Sequence, residues 1–151
     1  MSGEVSANTP QASGIGDSAG LWPRFAAMIY EGILLVGLVF ISSWLFLKLM
    51  GDASQGPVRH IFQAYVIAVC GAYFIHCWRR SGQTLGMKTW GLRLVRVDGQ
   101  ALTLNRALAR YLLAIAGLSA GGIGFLWALV DPDRQFLHDR LLGTRIVRAP
   151  I

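Results

Sequence analysis

From Phe25 to Leu47 the chain has no lysine, arginine, histidine or aspartate, and only Tyr30 and Glu31 carry ionisable side chains. That scarcity holds throughout: 15% of the 151 residues are charged, 54% are hydrophobic, and the mean hydropathy is +0.47. An ordinary soluble domain of this size needs more charge to cover its surface, so that class is excluded. The first twenty residues, MSGEVSANTPQASGIGDSAG, lack any lysine or arginine. A secretory leader opens on a basic stretch followed by a short apolar core, so none is expected here; residues 1–21 read as a disordered tail, poor in anything that builds a core. Cysteine is limited to Cys70 and Cys77. Seven residues apart on a helix, they would lie about 10 Å from each other, and His76 beside Cys77 points to a different face, so neither a metal pair nor a bridge follows. They read as small apolar fillers, and His60 carries no further signal. Nucleophile elbow, glycine-rich phosphate loop and metal motif are all missing. The expectation is a non-enzyme with no cofactor and no bound metal.

What is present is apolar and long. The first apolar segment runs from about 25 to 50, and its stretch from Phe25 to Leu47 alone would span about 35 Å as a helix, enough for a bilayer core of about 30 Å. Two more apolar stretches, at 61–78 and 111–130, approach the same length, and Trp22, Trp44, Trp78 and Trp127 lie near segment ends, where amphipathic rings favour the headgroup layer. The connection 51–60 is formally neutral. The connection 79–110 carries Arg79, Arg80, Lys88, Arg93, Arg96, Arg106 and Arg110 against Asp98 alone. By the positive-inside bias that connection and the N-terminus are cytoplasmic. The same bias explains the formal net charge of +6 as a surface facing anionic lipid headgroups, without invoking nucleic acid.

The third stretch conflicts with that orientation, because a plain crossing would carry Arg134, Arg140, Arg145 and Arg148 to the outer face. Gly117, Ser119, Gly121, Gly122 and Gly124 interrupt it, and irregular backbone is tolerated at membrane depth where protein packs around it. A broken or re-entrant hairpin with both ends cytoplasmic is therefore expected, with a plain third span as the alternative. In the basic connection, LRLVRVDGQALTL alternates and turns on Asp98-Gly99, a β-hairpin pattern to which TRIVR adds a possible third strand. The fold class that results is an all-α membrane protein. It has two transmembrane helices, a third apolar segment that is broken, re-entrant or spanning, and a small cytoplasmic β-hairpin. Residues 22–151 form one membrane domain.

Three stretches, WPRFAAMIYEGILL, GQTLGMKTWGLRLVRVDGQALTLNRALARYLL and GIGFLWALVDPDRQFLHDRLLGTRIV, together resemble the RDD family of small membrane proteins over nearly all of Leu21–Val147. The family is named for an arginine opening its first helix and for two aspartates. The resemblance implies that these fall on Arg24, on Glu31, where glutamate replaces the usual aspartate, and on Asp139. It further implies a place in a bacterial inner (plasma) membrane and, as has been suggested for the family, transport of an ion or small ligand.

An unpartnered carboxylate at the depth of Glu31 would cost several kcal/mol if ionised. Arg24 is seven residues earlier on the same helix face, about 10 Å along the axis and too far for a comfortable direct pair. The expected arrangement is a balanced cluster of Arg24, Glu31, Arg110 and Asp139, supported by Arg106, His138 and Arg140. Such a cluster serves transport if Glu31 binds and releases a proton or cation, or serves packing if it only fixes helix registry in an assembly factor or accessory subunit. The partners expected on these grounds are the lipid bilayer and a homo-oligomer or another membrane protein, with no nucleic acid.

Overall fold

The computed structural model describes residues 19–149. The tail expected at 1–21 lies outside the described residues except for its last three positions, of which Leu21 already begins helix α1, Leu21–Met50. Pro23 falls in the first turn of α1, where its missing N–H interrupts no helical bond. A short link leads to α2, Gly56–Arg80. The two helices run antiparallel. Near one end Phe46 packs on Phe62 and Tyr65, with ring centroids 5.2 and 5.0 Å apart, and near the other Tyr73 of α2 reaches Glu31 of α1. Both are long and apolar enough to cross a bilayer. Their outward faces carry Ile33, Val36, Phe40 and Ile61, all more than half exposed, as lipid-facing surfaces would.

Helix α3, Leu85–Thr89, follows a turn, and β1, Leu92–Arg96, follows it. The third apolar stretch forms α4, Leu104–Ser119, and α5, Ile123–Val130, whose axes meet at 91°. The break has a local cause. Gly121 and Gly122 take φ of 80° and 81°, a left-handed conformation that other residues adopt at a cost. The Gly117 and Gly124 backbones approach so closely that a Cβ on either would lie 3.2–3.3 Å from the other. A straight third helix is not formed, and the bend is a right angle rather than the reversal of a hairpin.

The segment Asp131–Phe136 completes the return. It carries the chain to α6, Leu137–Leu142, which packs on the beginning of α4 through Arg110 and Arg106, and then to β2, Thr144–Arg148. Strand β2 pairs antiparallel with β1, Leu94 opposite Ile146 and Arg96 opposite Thr144. Among the described residues these are the two strands of the sheet, so the hairpin expected around Asp98-Gly99 is corrected. The turn exists, with the Gly99 N–H donating to Arg96 O at 3.1 Å. The Arg96 guanidinium, bonded to Asp98, Gln100 and the Ala101 carbonyl, draws the chain back over the strand end, and α4 begins after Thr103 before a second arm can form.

The start of α1, the end of α2, the start of α4, α6 and the sheet therefore gather at one end of the molecule. The core sits there as well, built on Ala27, Trp78, Leu92, Leu94, Phe136 and Ile146.

Candidate functional site

Three buried polar units meet where α1 enters this core. Asp139, fully buried, receives the Nε and a terminal nitrogen of Arg110, each at 2.8 Å on Oδ1, and the Thr144 hydroxyl at 3.0 Å on the same oxygen. The pair joins α4, α6 and β2. Arg110 also lies over the Trp78 ring of α2, its guanidinium carbon 4.3 Å from the centroid, a cation–π contact strengthened by desolvation. Burial would raise the Asp139 pKa, but the Arg110 charge and the hydrogen bonds from Arg110 and Thr144 outweigh it and hold the carboxyl below its usual range. His138 Nε2 lies 4.0 Å from Asp139 Oδ2, and burial keeps this imidazole neutral, its pKa pushed down to about 4.

Arg24 is 1% exposed. Its guanidinium donates to two backbone carbonyls, Ile146 O of β2 at 3.1 Å and Arg134 O, so it ties the first turn of α1 to the returning segment. Its charge stands 6.0 Å above the Phe136 ring. Glu31, 6% exposed, accepts the Tyr73 hydroxyl from α2 on one oxygen and the Gly86 N–H from α3, at 2.8 Å, on the other.

The expected four-charge cluster is thus resolved into separate units. Arg110 and Asp139 form a direct ion pair, whereas the hydrogen-bond partners of Glu31 are neutral and those of Arg24 are carbonyls. The reason is geometric: α3 places a backbone amide against α1 at the level of Glu31, closer than any guanidinium. Arg106 caps the end of α6 through Leu142 O at 2.8 Å, and Arg140, half exposed, turns away to Asp131. His60 and His76 take no part in these units, while Cys70 lines the cavity described next.

Arg24, Glu31, Arg110 and His138 nonetheless share one wall-to-wall space, a partly open cavity of about 420 Å³ between α1, α2 and α4. Away from these four its lining is predominantly apolar and aromatic, from Leu35, Phe74, Ile115, Leu118 and Phe125. Its size falls in the range of about 300–1,000 Å³ of small-molecule sites.

Sequence reasoning missed Tyr73, Trp78, Gly86, Thr144 and Asp131. Asp131 had a readable signal in DPD: its carboxylate accepts the N–H groups of Asp133 and Gln135 at 3.1 and 3.0 Å, an aspartate-capped turn at the end of α5. Tyr73 resembles any other aromatic residue of an apolar helix and had none, and Trp78, expected as a segment-end ring for the headgroup layer, is instead 6% exposed and covered by Arg110.

The model of the RDD family matches residues 18–143. Among curated proteins, the chain is similar to the uncharacterized protein YckC of Bacillus subtilis, 25% identical over 87% of this chain and 85% of the relative. It is also similar to the uncharacterized protein RP437 of Rickettsia prowazekii, 33% identical over 59% of this chain and 49% of the relative. A third relative, the uncharacterized protein YxaI of Bacillus subtilis, is 24% identical over 85% of this chain and 96% of its own length. No solved structure matches.

Proposed function

The chain belongs to the RDD family, and from that premise we propose that it is a carrier of an ion or small ligand in a bacterial inner membrane, its N-terminus and sheet on the cytoplasmic side. Membership and the two long apolar helices together support an integral membrane protein. One observation carries the finer reading: Glu31, a carboxylate with neutral hydrogen-bond partners, lines the same cavity as Arg24 within a bundle whose outward faces are apolar. Glu31 is held by a hydroxyl and an amide and not locked to a guanidinium, so its counter-charge is left for a transported cation to supply, as a coupling site requires. At 151 residues the chain encloses a pathway by pairing with further copies.

The competing reading, an assembly factor or accessory subunit whose charges are structural, is favoured by a different observation: the Arg110–Asp139 pair and the Arg24–Ile146 bond lash α1, α4 and α6 to β2. Flux in proteoliposomes separates the two. Purified protein is expected to move protons, Na⁺ or K⁺ above empty vesicles, with Glu31→Gln silent though folded and Glu31→Asp active. Wild-type protein with no such flux on either side of neutrality overturns the carrier and leaves the assembly reading.

A further inference from the structure

We propose that the cavity beneath Arg24 binds an acidic amphiphile, an acyl chain ending in a carboxylate or phosphate, with the anionic head on Arg24 and the chain along the apolar wall toward Leu35 and Leu118. The inference rests on the carrier reading for what the ligand is carried for, while its binding is measurable without it.

The formal charges of Arg24, Arg110, Glu31 and Asp139 cancel, but their pairing is uneven, and the pairing points to an anion at Arg24. Arg110 is neutralised by Asp139 at 2.8 Å. Both oxygens of Glu31 are occupied by donors. Arg24 has no carboxylate within 4 Å among the described residues, only carbonyl partners, and a buried guanidinium without an anion is costly. Among the unpartnered buried polar atoms, the acceptor Asp139 Oδ2 belongs to a residue outside the cavity lining, and three others belong to residues within it. Arg24 Nε, Trp78 Nε1 and His138 Nδ1 have no hydrogen-bond partner among the described residues, and all three residues line the cavity and are more than nine-tenths buried. Two of these are obligate donors. Buried donors left empty are rare enough to need an explanation, and an acceptor-rich head supplies it. An anionic head meets a guanidinium through short, charge-assisted bonds.

The remaining lining dictates the rest of the molecule. Leu35, Phe74, Ile115 and Leu118 offer hydrocarbon and no polar partner, so a compact hydrophilic anion would leave most of the cavity empty, whereas an alkyl chain fills it.

Calorimetric titration of the full chain in a non-ionic detergent tests this, using dodecanoate and dodecyl phosphate as single-chain probes and phosphatidylglycerol as the membrane-lipid probe. Saturable binding of an anionic probe above the micelle blank is expected. Inorganic phosphate should bind far more weakly, and dodecyltrimethylammonium not at all. Single-chain probes binding alone identify a free amphiphile, and phosphatidylglycerol competing with them identifies a lipid headgroup. Arg24→Gln is expected to weaken binding at least tenfold. Because Arg24 also holds β2, Leu35→Trp, which fills the apolar arm and touches none of the charges, is the second arm and should block the long-chain probes. No saturable binding, equal binding of the cationic probe, or affinity unchanged in Leu35→Trp overturns the proposal. Ion flux with no amphiphile binding leaves the carrier and removes this ligand, and binding with no flux does the reverse.

Discussion

The Gly86 N–H donates to Glu31 Oε2 at 2.8 Å, and the approach that permits this bond leaves no room for a side chain. A Cβ on Gly86 would lie 2.5 Å from the Ala27 carbonyl oxygen and 2.6 Å from Glu31 Oε2. One of these is backbone of α1 and cannot swing aside. Gly86→Ala must push α3 away from α1, an overpacking change that costs about 1–3 kcal/mol. At about 2–4 °C per kcal/mol for a chain of this length, the thermal midpoint of the detergent-solubilised protein should fall by several degrees. Gly37→Ala is the matched control, since among the described residues nothing lies within 4 Å of a Cβ added there. Equal midpoints for the two variants would refute the contact.

The Arg110–Asp139 pair makes a sharper demand. Removing one partner strands a buried charge, at a cost of about 3–5 kcal/mol. Asp139→Ala and Arg110→Ala should each cut folded yield severely, and the double variant should lose much less than the sum of the two. Glu31 and Arg24 share no direct contact, so their double variant should be close to additive, while Glu31 should couple to Tyr73. Strong coupling of Arg24 with Glu31 and none of Arg110 with Asp139 would reverse the assignment.

These pairings show where the sequence stops being legible. Glu31 stands out because it is the one acid in an apolar run, and Arg24 because it opens that run. Their partners do not, because Tyr73 and Gly86 reach Glu31 through the packing of α2 and α3 on α1, which no local pattern encodes. Thr84 does mark the start of α3, its hydroxyl accepting the Met87 N–H at 3.3 Å, and that cap was readable. The strands were recognised from β-branched alternation in LRLVR and TRIVR, yet Asp98-Gly99 drew the pairing to the nearer segment. Local turn chemistry favours the short loop, whereas the actual ladder closes across α4, α5 and α6. The glycines of the third stretch marked its break correctly. The angle of that break depends on how α5 packs against Gly117 and had no sequence signal.

His138 provides a pH dependence with a definite sign. Burial, first, and the nearby Arg110 lower its pKa from 6.5 to about 4, against the opposing pull of Asp139. A histidine whose folded pKa is depressed contributes stability that is full above its unfolded value and is lost as pH falls toward the folded one. Asp139, depressed below its ordinary value of 3.8, loses its own contribution only at still lower pH, so the window above belongs to His138. Stability should therefore decline as pH drops from about 6.5 to about 4, with the His138 contribution amounting to at most about 3 kcal/mol. Thermal midpoints measured across that window should slope less in His138→Phe than in the wild type. Identical slopes would mean that the imidazole is not the group responsible.

The last expectation concerns sidedness, and geometry constrains it more tightly than charge. The sheet joins β1, which precedes the third apolar stretch, to β2, which follows it, and Ile146 of β2 is bonded to Arg24 at the start of α1. The N-terminal end of α1, the turn at Asp98-Gly99 and the end of β2 must then share one side of any membrane the protein occupies. The link at Ser54, where α1 has ended and α2 has not begun, must lie at the opposite end. On the orientation proposed above from the charge of the basic connection, the shared side is the cytoplasmic one. Topology reporters inserted at Asp98-Gly99 and joined after Ile151 should both read cytoplasm, and one at Ser54 should read the periplasm. A periplasmic signal from the C-terminal fusion alone would mean that α4 and α5 cross as one span, which the β1–β2 ladder does not allow.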